Sequence, residues 1–302
     1  AVRGLHEKKE ANIIVSGSTS SLLSKELGTL LAGRWLEMKV YPLDFREFLE
    51  FKGIAIAGRL DMLANKTQVK QLLREYLEFG GFPLAVLQDQ KTQILQTYFD
   101  DILSRDVAER HRIRKVDRLR LLAKHYLTGF AAHISYRKAA TMAGLSLQSA
   151  ERFSAHLQDA FLVFFVAQFS YSLRQQVANP KVVYAIDTGI ANAVGFRFSE
   201  NVGRLYENLV FLSLLQQSQE VYYYKGKAEC DFVVKEGQRV VQAIQVCYEL
   251  GANKERELNG LNEAMAAFQL DEGTVITEGF EGEEQQAGKK VKYVPLWKWL
   301  LR

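Results

Sequence analysis

The sequence predicts a multi-domain α/β protein, and three observations carry that expectation. The chain opens with a strand, a turn and a helix. Its middle sets two short helices around a glycine ahead of two apolar strands, and its last third runs helix, three strands, helix, strand. Alternating strand and helix implies the edge of a parallel sheet. Two helices around a tight turn, followed by a strand pair, make the winged helix-turn-helix layout. With 302 residues the chain has room for more than one core.

Taken in order, residues 12–18 form a short β-branched run that stops at Gly17, as a buried parallel strand does. Ser20 and Ser21 offer hydroxyl caps for a following helix. Residues 35–40 predict a second strand, and Pro42 stands where a helix over 42–49 would tolerate its missing N–H. Residues 68–110 read as helical, interrupted by Gly80-Gly81-Phe82-Pro83, and 119–130 as a further helix. Residues 136–145 read as a short helix that ends at Gly144, and Ser146 is placed to cap a helix with Leu147, Ala150, Phe153 and Leu157 on one face. Residues 161–169 and 180–186 read as strands. The last third gives a helix over 205–215, strands over 221–224, 230–235 and 240–248, a helix over 254–268, and strands over 274–277 and 292–294. Residues 278–290 are polar and low in complexity, which predicts a mobile loop.

Composition narrows the function classes. At 48% hydrophobic and 25% charged residues, a disordered or fibrous chain is excluded. Cys230 and Cys247 cannot build a disulfide framework, and no Cys/His cluster has zinc spacing. A reducing, cytoplasmic setting follows. The longest apolar run, 160–169, is half of the roughly 18–20 residues that a membrane span needs, so no membrane association is expected. Net charge is +4, unevenly spread. Residues 105–138 hold ten Lys and Arg against three acids, whereas 221–302 hold eleven against thirteen. The basic stretch is the first candidate surface for phosphates, with a solvated helix face as the plainer alternative.

No G-x-x-x-x-G-K-[ST] segment occurs, so these residues hold no triphosphate through a phosphate loop of their own. Ser16 and Ser18 at a strand end, with Arg34, are candidate sensors of a nucleotide bound elsewhere. On the helix-turn-helix, the outward residues of the second helix are Gln148, Ser149 and Arg152, with Arg137 and Lys138 on the preceding helix for phosphates. The last third has the spacing of a metal-dependent nuclease: Glu207 on a helix, Asp231 in a strand, and Gln245 and Cys247 on the next. Glu207 and Asp231 could hold Mg²⁺ weakly. A working site needs an acid where Gln245 stands and a Lys where Cys247 stands, unless Lys225 or Lys227 reaches in. A degenerate site kept for structure or binding is therefore favoured. The histidines do not cluster, which points to surface or core duty.

Several segments together resemble a known family. Ile13-Ile14-Val15-Ser16-Gly17-Ser18, Leu31-Ala32-Gly33-Arg34, Tyr41-Pro42-Leu43-Asp44-Phe45-Arg46-Glu47-Phe48 and Gly80-Gly81-Phe82-Pro83 resemble the second half of a prokaryotic AAA-type ATPase. That family carries a C-terminal domain of PD-(D/E)XK, restriction-endonuclease-like character. Arg105-Asp106-Val107, Asp159-Ala160-Phe161-Leu162-Val163 and residues 181–189 continue the likeness, as do Glu207-Asn208-Leu209-Val210-Phe211, Cys230-Asp231-Phe232-Val233-Val234 and residues 295–301. The resemblance implies the C-terminal part of an AAA-type core over 1–52, a helical lid over 53–115, a winged helix over 116–188 and a nuclease-like domain over 189–302. It implies ATP and Mg²⁺ for the parent protein, a hydrolase, but the Walker A and Walker B segments are absent here and no cofactor is expected for this chain. Gln245-Val246-Cys247 departs from the Glu-x-Lys of active nucleases. The leading expectation is a fragment of a DNA-associated ATPase that binds DNA or a protein partner. A Mg²⁺-dependent endonuclease and a protein-interaction module are the alternatives.

Overall fold

The computed structural model describes residues 38–196, 202–251 and 254–302, with the single positions Ile14, Gly17 and Leu36. Its first helix, α1 (Phe45–Phe51), starts later than Pro42 suggests. The Glu47 amide donates to the Asp44 carboxylate at 2.8 Å and the Asp44 amide donates to Glu47 at 2.9 Å, a reciprocal cap that fixes the helix start after Pro42. The strand expected over 35–40 is corrected where it is described: Leu36 and residues 38–40 belong to no regular element, while Trp35 and Glu37 lie outside the described residues. No described strand lies beside them to take up their backbone hydrogen bonds. The remainder of the opening unit, with Ser16, Ser18 and Arg34, lies outside the described residues.

Next come α2 (Arg59–Ala64), α3 (Lys66–Phe79), α4 (Pro83–Leu87), α5 (Lys91–Asp101) and α6 (Val116–Thr128). α5 continues as a π-helix over Ile102–Glu109. α3 buries Val69, Leu73, Tyr76 and Leu77, a stripe with helical period.

The middle of the chain forms β1 (Ala132–Ile134), α7 (Tyr136–Ala143), α8 (Leu147–Asp159), β2 (Val163–Ala167), α9 (Leu173–Ala178) and β3 (Lys181–Ala185). β3 lies between β1 and β2, antiparallel to both. Gly144, at φ +62°, closes α7 in the left-handed region, and the Ser146 hydroxyl accepts from the Ser149 amide to cap α8.

After α10 (Thr188–Val194) and α11 (Val202–Gln216) come β4 (Glu220–Lys225), β5 (Glu229–Glu236), β6 (Arg239–Val246), α12 (Lys254–Ala267), β7 (Glu272–Thr277), β8 (Gly282–Gln286), β9 (Lys289–Pro295) and α13 (Leu296–Trp299). They build a six-stranded mixed sheet in the order β4-β5-β6-β7-β9-β8. β4 to β6 form an antiparallel meander, while β7 runs parallel to both β6 and β9. The loop expected over 278–290 is a second correction. Its centre is β8, antiparallel to β9. Its acids have partners on β9 and on α12, Glu283 with Lys290 at 2.7 Å and Glu284 with the Tyr293 hydroxyl and with Lys254 of α12 at 3.1 Å, so a polar sequence forms an edge strand.

Three apolar clusters hold the chain together. The first joins the start and the end of the described chain, with Phe45, Phe48 and Leu49 of α1 packed in one core with Phe211, Leu296, Trp297 and Leu301. The second fills the space between α5, α6, α7, α8 and the small sheet. The third lies between α12 and the other face of the large sheet. Among the described residues no helix is long and apolar enough to cross a membrane.

Two motifs far apart in sequence interlock. Asp187 caps α10 by accepting from the Ile190 amide at 3.0 Å, and its second oxygen accepts from the Gly81 amide at 2.7 Å. Asn192 and Thr188, on the same helix, donate to the Leu77, Glu78 and Tyr76 carbonyls at the end of α3. The orphan donors of one helix and the orphan acceptors of another are thereby satisfied at one joint. The contact is so close that only glycine fits: a Cβ on Gly80 would stand 2.1 Å from the Asp187 oxygens.

Candidate functional site

The last module gathers carboxyl groups at one end of its meander. Glu207 projects from α11 and Asp231 from β5, both half-buried, while Gln245 near the end of β6 is buried. Burial pushes the Glu207 carboxyl up to about 7, aided by the charges of Glu229 and Glu257 and opposed by the Tyr184 hydroxyl that donates to it at 2.7 Å. Burial also holds Asp231 well above the usual carboxylate range, and the Glu207 charge pushes it further. The two acids therefore share one electrostatic environment, in which both cannot readily ionise together.

The donor set is already in use. Asp231 Oδ2 accepts from the Val246 amide at 2.8 Å, and the Asp231 amide donates to Gln245 Oε1 at 3.3 Å. Gln245 Nε2 donates to Glu257 of α12 at 2.6 Å. Cys247 lies just beyond β6; its thiol donates to the Glu249 carbonyl at 3.2 Å, and burial raises it to about 11, leaving a neutral group where a cation would be needed. Lys225 does not substitute for that cation, since its ammonium pairs with Glu229 at 3.2 Å. Lys227 contributes its amide to Glu263 at 2.9 Å. Among the described residues no three His, Cys, Asp or Glu side chains converge so as to hold a metal ion. That set falls short of the several free oxygen ligands in octahedral array that Mg²⁺ prefers.

Sequence reasoning missed Tyr184, Asn208 and Glu257. Asn208, fully buried, donates to the Ala185 carbonyl at 3.0 Å and accepts from the Ala185 amide at 2.8 Å, so α11 grips the end of β3. The signal for Tyr184 and Asn208 was their place inside quoted motif segments; for Glu257 there was only its position on a charged helix. His133 of β1 reaches Glu229 at 2.9 Å and links the small sheet to the large one.

The middle module displays its polar residues differently. Arg137 and Lys138 on α7, and Gln148 and Arg152 on α8, are exposed. Ser149 is half-buried, and its hydroxyl accepts from the Ser146 hydroxyl at 2.9 Å as part of the α8 cap. Arg137, Lys138 and Arg152 form no ion pair among the described residues; Arg152 lies over the Phe153 ring.

The family matches point to an ATPase-related protein. Residues 1–49 match a family model described as AAA domain, residues 70–201 one described as Domain of unknown function (DUF8612), and residues 202–299 one described as Domain of unknown function (DUF4143). The protein Uncharacterized protein MJ1544 of Methanocaldococcus jannaschii is 36% identical over 310 residues, covering 96% of this chain and 69% of its own length. The chain belongs to the family of that archaeal protein. A relative from Haemophilus influenzae, with the name Uncharacterized protein, is 29% identical over 261 residues, covering 83% of this chain and 63% of its own length. The chain thus spans about two thirds of the length of these relatives. No solved structure matches it.

Proposed function

We propose that this chain is part of a DNA-associated AAA-type ATPase, in which the α7–α8 pair binds duplex DNA and the last module keeps a nuclease layout without nuclease chemistry. The observation that carries the reading is the set of exposed cations Arg137, Lys138 and Arg152, unpaired by any described acid, on two helices joined by the Gly144 turn. The sequence β1-α7-α8-β2-β3 with a three-stranded antiparallel sheet supports a winged helix, whose second helix enters the major groove. Arg137 and Lys138 then hold phosphates, and Gln148, Ser149 and Arg152 face the groove. In this reading Ser16, Ser18 and Arg34 sense a nucleotide held by the remainder of the protein. The two free, buried cysteines suit a reducing, cytoplasmic setting.

Duplex binding should weaken steeply with salt, and Arg137→Ala, Lys138→Ala and Arg152→Ala together should reduce affinity more than about tenfold at low salt, a change of ~1.4 kcal/mol. Fluorescence anisotropy with a labelled duplex measures both. A second reading, protein interaction, is favoured by α9, which buries none of its residues and exposes Tyr171, Leu173 and Val177 nearby. A flat salt dependence would support it over DNA binding.

The α11-β4-β5-β6-α12-β7 order supports a restriction-endonuclease-like module. With Gln245 tied to Glu257 and a neutral Cys247, cleavage of plasmid DNA in Mg²⁺ or Mn²⁺ should be undetectable for the native protein and for Asp231→Ala alike. Loss of an electrostatic group at such a centre costs on the order of 10²–10³ in rate. Cleavage that disappears in the variant would establish a nuclease instead.

A further inference from the structure

We infer that the loop between the π-helix and α6 grips phosphates of duplex DNA through Arg112, Arg114 and Lys115, as a second contact beside the α7–α8 pair. The inference rests on the reading of that pair as a duplex-binding unit. All three side chains are exposed, and none has an ion pair or hydrogen bond among the described residues. Their neighbours differ: Arg105 pairs with Asp101 at 3.7 Å, Arg118 with Asp117 at 3.2 Å, and Arg120 with Asp100. Cations left unpaired amid paired ones form a surface with a net attraction for a polyanion.

The loop is also held rigid. The Ile113 amide donates to the Ala108 carbonyl at 2.8 Å, and the Arg112 amide to the Glu109 carbonyl at 3.2 Å. Ile113 and Val116 pack against the second core, so Arg112 and Arg114 flank an anchored residue. Arg112 sits at φ +51°, a left-handed conformation that a non-glycine residue adopts only when its surroundings impose it. Cations displayed on such a loop lose little backbone freedom on binding.

Position favours the same partner as α7 and α8. A Cβ on Gly144 would come within 2.8 Å of the Arg118 guanidinium, so a side chain from the first turn of α6 reaches the turn between those two helices. The loop runs directly into that turn of α6. Exposed cations contributed by the loop and by the neighbouring helix pair suit a partner that carries many regularly spaced phosphates.

The test is anisotropy titration of a fluorescein-labelled, mixed-sequence duplex of about 25 base pairs, long enough to cover several successive phosphates. Native protein, the triple variant R112A/R114A/K115A and the triple variant R137A/K138A/R152A are titrated between ~50 and ~200 mM salt. Equal far-UV circular dichroism establishes that all three are folded. Each phosphate contact contributes about 0.9 to the slope of log affinity against log salt, so the loop variant should lose about 2–3 from that slope and about tenfold or more in affinity at low salt. An unchanged loop variant beside a weakened α7–α8 variant overturns the loop contact and leaves the helix-turn-helix reading intact. A weakened loop variant beside an unchanged α7–α8 variant supports the loop and overturns that reading. Absence of duplex binding by the native protein overturns both.

Discussion

Replacing Gly80 with alanine is expected to remove most of the stability of the described fold. Gly80 has φ +72° and ψ −161°, a region open essentially to glycine, where a Cβ costs at least about 1 kcal/mol in strain. The new carbon would stand 2.1 Å from both Asp187 oxygens, so the carboxyl must move. Its departure leaves the Gly81 and Ile190 amides without their acceptor, each costing about 1–3 kcal/mol when buried. The sum, about 3–7 kcal/mol, is comparable to the total stability of many domains. Urea denaturation followed by circular dichroism measures it, and a loss under about 1 kcal/mol would show that the joint can rearrange. The same carboxyl carries a pH signature. Burial raises Asp187 from 3.8 to about 6 against the pull of its three amide donors. A folded pKa above the unfolded one means that the native state binds the proton more tightly, so this contribution is complete below about pH 4 and is lost as pH rises through about 6. Relative to Asp187→Asn, the native protein should therefore lose on the order of 3 kcal/mol between pH 4 and pH 8. A stability difference independent of pH would contradict that account.

Asn208→Ala should cost about 3–5 kcal/mol. The amide side chain satisfies both main-chain groups of Ala185 in a fully buried position, and its removal strands a donor and an acceptor at about 1–3 kcal/mol each. A small cavity adds to the loss. Asn208→Asp keeps the acceptor but sets a carboxylate against the Ala185 carbonyl, next to Glu207, and should be no better tolerated. Chemical denaturation of both variants provides the comparison. A loss of less than about 1 kcal/mol for Asn208→Ala would mean that solvent reaches Ala185 and that α11 does not hold β3.

Both predictions concern residues inside segments that the sequence marks as motifs, and neither role was legible there. Gly80-Gly81-Phe82-Pro83 reads as a helix break, and it is one, between α3 and α4. What a linear reading lacks is the partner: Asp187 lies 106 positions from Gly81. Asn208 likewise stands beside Glu207, which drew attention as a metal ligand, while the amide next to it makes the bonds that dock the helix. The carboxyl cluster was half legible. Glu207, Asp231, Gln245 and Cys247 were found from spacing, but the occupation of Gln245 by Glu257 depends on how α12 packs across the sheet.

Local patterning alone determined most of the elements. The α3 stripe, the Ser146 cap, the Gly144 stop and the meander β4–β6 follow from period, capping and turn chemistry within a few residues of each other. Tertiary structure decided the rest, because those choices depend on groups distant in sequence. β8 becomes a strand only because Lys290, Lys254 and Tyr293 receive its acids. Residues 38–40 belong to no regular element, although their sequence reads as a strand. Whether a carboxyl is a metal ligand or a buried, partly protonated anchor depends on desolvation and on which neighbours share its charge, and neither is written in the residues beside it.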